Sequence, residues 1–261
     1  MQSWPVGALP ALIIVAQATA GAPALAQTLD VKLLEVKQGH LELGLDNSVL
    51  LGLPRGANLN HSAHDQSLDY GVRDWWRLSG VVKLENPDDA DFRVTRTAVE
   101  NIFVLRPVDD KRPFDLGVGW FAAVDASLNP HTTNTAFFGP IITLAAQKLS
   151  FTANPFLERN FGRNCGEGIA FTYGWQAKYE VRDGFAVGIE AYGRIEQLGD
   201  PPPWSEQEHI IGPVVYAEIP LGRDFKIAPD IGVLFGLTRA TPDVALKLNV
   251  GIPLHQQRRG R

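Results

Sequence analysis

From Gly168 to Leu254 apolar residues recur at every second position, segment after segment, with tight turns between the segments. Ile169, Phe171, Tyr173, Trp175, Ala177, Tyr179 and Val181 share one face, while Thr172, Gly174, Gln176, Lys178, Glu180 and Arg182 share the other. A period of two, rather than about 3.6, is the signature of a β-strand. Arg182-Asp183-Gly184 then signals a hairpin, and Phe185, Val187, Ile189 and Ala191 resume opposite Glu190, Tyr192, Arg194 and Glu196. Strands that are greasy on one side and charged on the other fit a closed barrel whose outside meets lipid and whose inside meets water.

Twelve such strands are expected, with ten or fourteen also compatible, in an all-β, closed antiparallel transmembrane barrel. Reading back from the C-terminus, they fall at residues 246–254, 225–238, 210–221, 185–196, 169–181, 149–156, 136–147, 114–128, 92–105, 76–85, 66–70 and 39–46. Outer-membrane barrels alternate short periplasmic turns with longer external loops. Residues 222–224, 182–184, 147–148, 106–113 and 71–74 would be the periplasmic links. Residues 239–243, 197–206, 158–167, 129–135, 85–91 and 47–65 would lie outside. A soluble β-sandwich or lipocalin-like cup would also alternate. Against it stand strands as long as a tilted bilayer crossing requires, and the aromatic residues Trp75, Trp76, Trp120, Tyr173, Trp175, Tyr179 and Trp204, placed toward strand ends or loops where interfacial rings belong.

The first 26 residues carry an apolar run from Leu9 to Ala20 and small residues at Ala24-Leu25-Ala26, the pattern of a cleaved secretion signal. Residues 27–261 would then form one barrel domain, exported to the outer membrane of a Gram-negative bacterium, with outer-membrane lipid and the barrel-insertion machinery as partners. The net charge of −5 and the lack of a basic stripe with interleaved aromatics argue against nucleic acid. With Cys165 as the single cysteine, no intramolecular disulfide forms. No cofactor motif is present.

Ten inward charges are candidates for lining the lumen: Lys178, Glu180, Arg182, Glu190, Arg194, Glu196, Glu218, Lys226, Asp230 and Lys247. Two readings stay open, an aqueous path or a mutually paired plug. A barrel of about eight strands is filled by its own side chains and one of about sixteen holds a channel, so twelve lies between. The run of both signs favours cross-strand pairing, with Lys178 and Glu190 as one such pair.

Three residues of the external loops could carry contact or chemistry. His61 and His64, with Ser62 and Asp65, have the types of a metal or catalytic cluster. No oxyanion-hole motif or further ligand set accompanies them, and His61 and Ser62, being adjacent, would point oppositely on a strand, so no enzymatic role is expected. Trp204 follows Pro201-Pro202-Pro203, a stiff stretch that fits a rigid loop with an interfacial ring.

Asp230-Ile-Gly-Val-Leu-Phe-Gly-Leu-Thr-Arg-Ala-Thr-Pro-Asp-Val resembles the penultimate hairpin of the outer-membrane transporter family named for the MetA pathway of phenol degradation. The resemblance covers about thirty residues and implies a barrel that moves hydrophobic or aromatic compounds. The chain departs from that pattern at its end, where Ile252-Pro253-Leu254 and a polar tail replace a terminal aromatic residue. The expected function is a passive channel or facilitator for small solutes, hydrophobic ones among them. The alternative is a closed, non-conducting barrel with a structural or surface-interaction role.

Overall fold

The computed structural model describes residues 29–52, 62–86, 92–109, 111–163, 165–166, 168–221 and 225–255. They form one antiparallel sheet rolled shut. In chain order its strands are β1 (Leu41–Leu51), β2 (Ser62–Arg73), β3 (Trp76–Glu85), β4 (Arg93–Arg106), β5 (Asp115–Ser127), β6 (Asn134–Ala146) and β7 (Leu149–Phe161). These are followed by β8 (Ala170–Arg182), β9 (Phe185–Ile195), β10 (Glu208–Ala217), β11 (Ile219–Leu221), β12 (Phe225–Gly236) and β13 (Val244–His255). The three-residue β11 continues β10 past Glu218, so the wall has twelve staves. Each stave pairs with its sequence neighbours, and β1 pairs with β13 to close the ring. Closure gives each of the long strands a partner on both sides, which an isolated sheet in lipid could not do.

Six of the longer links lie at one end of the ring. Residues 52–61, 86–92, 128–133, 162–169, 196–207 and 237–243 join strands there, whereas Asp74-Trp75, Gln147-Lys148 and Asp183-Gly184 are two-residue turns at the other end. The eight-residue link 107–114 is the exception among the short ones. It is pinned by Asp115, which accepts from the Asp109 N–H at 2.8 Å and from the Arg106 guanidinium at 2.5 Å.

Three strands run further than the alternation of the sequence indicates. β7 reaches Phe161 rather than residue 156, because Glu158 and Asn160 continue its inward polar face. β1 reaches Leu51 through the polar Asp46-Asn47-Ser48, and β2 spans Ser62–Arg73 rather than 66–70. His64 is therefore a strand residue and not a loop residue. It faces outward on β2 beside Asn47, and its Nδ1 lies 2.7 Å from the Asn47 Oδ1. His61, its companion in the sequence motif, lies outside the described residues.

Burial is inverted relative to a water-soluble protein. On β8 the inward Thr172 and Gln176 are 7% and 5% exposed, whereas the outward Tyr179 and Val181 are both 45% exposed. Outward Val99, Val187, Ile189, Ile231, Phe235, Leu246 and Leu248 repeat the pattern around the ring. An apolar surface this extensive excludes the sandwich and the lipocalin-like cup. Trp75 and Trp76 stack with Phe103 at the short-turn end, where the Trp76 indole donates to the outward Asn101 at 3.1 Å. Trp120 and Trp175 instead sit well inside β5 and β8.

Candidate functional site

The lumen is occupied by the chain's own N-terminal segment. Residues 29–37 precede β1 and run extended through the barrel without joining the sheet. Their alternation divides them between two apolar walls. Leu29, Val31 and Leu33 pack against Leu50, Tyr192, Ile210, Leu234 and Ala245, while Leu34 and Val36 pack against Ile102, Val104, Phe121, Ile141 and Phe156 on the facing side. Leu29 lies near the long-link ends of β1, β10 and β13. Gly39 lies at the opposite end, where its N–H donates to the Gly71 carbonyl at 2.8 Å. The segment thus traverses the lumen.

The wall is shaped to receive it. Gly117 and Gly119 on the inward face of β5 sit against Leu34, and a Cβ at Gly117 would lie 2.9 Å from the Leu34 Cδ1. The backbone of residues 29–37 has no neighbouring strand, so side chains supply partners. Asn154, 2% exposed, accepts from the Lys32 N–H at 2.6 Å and donates to the Lys32 carbonyl at 3.0 Å, as an adjacent strand would. Asn249 donates to the Leu29 carbonyl at 3.0 Å. The Lys32 ammonium is 2.7 Å from Glu100 and 3.0 Å from Asp30. The sequence did not reveal this segment, since its alternation is that of a wall strand.

Paired charges line much of the lumen beside the segment. Lys247 meets Glu190 at 2.6 Å and Asp230 at 3.0 Å, and Glu190 also accepts from the hydroxyls of Tyr192 and Tyr216 at 2.5 and 2.8 Å. Arg194 holds Glu158 at 2.9 Å and Glu196 at 2.6 Å. Lys83 and Arg96 share Asp125 at 2.9 and 2.7 Å. Lys178 and Glu190 do not pair. The register sets Gln176 opposite Glu190 and Lys178 opposite Gly188, and the Lys178 ammonium lies 5.3 Å from the Tyr216 ring centre. Arg182, at the end of β8, lies over the Phe185 ring at 5.6 Å. Glu218 and Lys226 pair at 2.8 Å with largely exposed side chains.

Beside the segment, toward the short-turn end, a cavity of about 880 Å³ remains, bordered by Lys178, Glu180, Glu218 and Asp230 with Glu42 and Asp46. Around it carboxylates outnumber Lys and Arg side chains nine to four. At the opposite end Trp204, in a 3₁₀ turn, stacks on His209 with ring centres 4.0 Å apart. The His209 ring nitrogens reach the Tyr173 hydroxyl at 2.8 Å and Gln207 Oε1 at 3.1 Å. Among the described residues, no group of three His, Cys, Asp or Glu is placed to hold a metal ion.

No known protein family and no curated protein matches the chain by sequence. Solved structures match by shape. The COG4313 outer membrane channel from Pseudomonas putida F1 superposes with a TM-score of 0.60 at 10% identity, covering 87% of this chain and all of that one. A KdgM porin, solved in complex with disordered oligogalacturonate, superposes with a TM-score of 0.52 at 11% identity, covering 82% of this chain and 99% of that one. The chain therefore has the fold of outer-membrane β-barrel channels.

Proposed function

We propose that the protein is an outer-membrane passive facilitator for small hydrophobic solutes. The observation that carries this reading is the pair of facing apolar walls inside the lumen, centred on Phe121 and Phe156 on one side and Ile210 and Leu234 on the other. Barrel interiors in outer membranes are ordinarily polar. An apolar slot through the middle of one gives a neutral aromatic or aliphatic molecule a place to desolvate. The hairpin resembling the phenol-degradation transporters supports the same solute class, and the channel fold supports the location. The excess of carboxylates around the cavity disfavours a polyanion such as the oligogalacturonate bound by the KdgM porin.

The second reading, a closed barrel with a structural role, is favoured by the segment and by the ion pairs beside it. Uptake separates the two. In a porin-deficient host, expression should speed entry of a neutral aromatic compound and leave entry of a sugar of similar size unchanged. Equal uptake with and without the protein would support the closed form.

A further inference from the structure

We infer that residues 29–37 are a releasable gate and that Asn154 is its latch. The two ends of the segment are held differently. At the base the chain is clamped by backbone bonds: Gly39 N–H to the Gly71 carbonyl at 2.8 Å, and Gly71 N–H to the His40 carbonyl at 2.9 Å. Gly39 has a φ of 73°, a left-handed conformation that suits a pivot, and Gly71 leaves no room for a side chain against the Lys37 carbonyl. Above the pivot the grip is by side chains, with no backbone ladder among the described residues. It consists of the Asn154 amide on Lys32, the Asn249 amide on Leu29, the Lys32 ion pair with Glu100 and apolar contact with two walls.

A wall strand is held by a continuous ladder and cannot leave singly, whereas this segment is held by those side-chain contacts and by apolar burial. Its apolar side chains fill the slot that the proposed solute would use. In that respect the inference rests on the facilitator reading. The cavity of about 880 Å³ beside it provides space for a swing about Gly39. Asn154 is a positioning residue, because it acts on the pore only through the segment.

The test uses ion current through refolded full-length protein in planar bilayers, so it reads the gate independently of any hydrophobic solute. Asn154→Ala should raise the open fraction about tenfold, the effect of losing two hydrogen bonds at a buried site. Lys32→Ala leaves the wall untouched and should act in the same direction, which covers the case of an Asn154 variant that folds poorly. An open fraction unchanged in both Asn154→Ala and Lys32→Ala would overturn the inference. Loss of aromatic uptake selectivity with the gating intact would instead count against the facilitator reading alone.

Discussion

Glu190 on β9 and Lys247 on β13 meet at 2.6 Å with side chains 1% and 2% exposed, although two other staves of the wall stand between their strands. Tyr216 on β10 and Asp230 on β12 complete the bridge. The interaction crosses the lumen side of four successive staves, so it couples strands that share no ladder. Burial of Glu190 and Lys247 is tolerated because each has a partner, with the half-buried Asp230 adding a second acceptor for the ammonium.

Removing the cation should be costly. Lys247→Met leaves Glu190 and Asp230 facing one another without a counter-charge, and breaking a buried pair in this way costs about 3–5 kcal/mol. Urea unfolding in lipid or detergent measures it. The Glu190→Gln, Lys247→Met double variant should lose less than the sum of the two single variants, because the residues act as a unit.

An outward charge should be penalised for a different reason. Val99, 53% exposed on the outward face near the middle of β4, meets acyl chains in this account. Val99→Arg should cost about 2–4 kcal/mol in folding equilibria measured in liposomes. A neutral result would place that face in water.

Gly119 should tolerate no side chain while the segment is in place. Gly119→Val occupies the position of a Leu34 methyl and should expel the segment. With Val31→Cys and Cys165→Ser as reporters, maleimide labelling of position 31, which is buried in the parent, should be slow in the parent and fast in the Gly119→Val protein.

The ring stack at the long-link end should be a modest anchor. Trp204→Ala uncovers His209, which is 2% exposed, and removes a stacked contact worth about 0.5–1.5 kcal/mol. A small fall in thermal midpoint, with current through the barrel unaltered, is the expected outcome.

The ring of strands was legible because two solvents act on alternate residues. Tyr173, Trp175 and Tyr179 against Thr172, Gln176 and Lys178 carry that contrast in the chain itself, and link length supplied the polarity. Legibility failed where both faces turn polar, as at Asp46-Asn47-Ser48, where an outward Asn47 is tolerated because it donates to the Leu248 carbonyl at 2.9 Å. Pairing of lumen charges was only partly accessible. The register puts Gln176 rather than Lys178 beside Glu190, and the true partner Lys247 arrives through ring closure. The segment was hidden because Leu29, Val31 and Leu33 read like a strand. Gly117 and Gly119 on one inward face were the available sign of a guest in the lumen, but glycine in a strand carries that meaning only once its neighbour is known.

The apolar face of the closed ring is its lipid-facing side, and the polar face encloses residues 29–37. A nitroxide scan along β8 in liposomes tests it most directly. Labels at positions 173, 175, 177 and 179 should collide with lipid-dissolved oxygen, and labels at 172, 174, 176 and 178 should not. Equal accessibility of both sets to a water-soluble relaxation agent, or a folded monomer recovered without detergent, would put the apolar face in water.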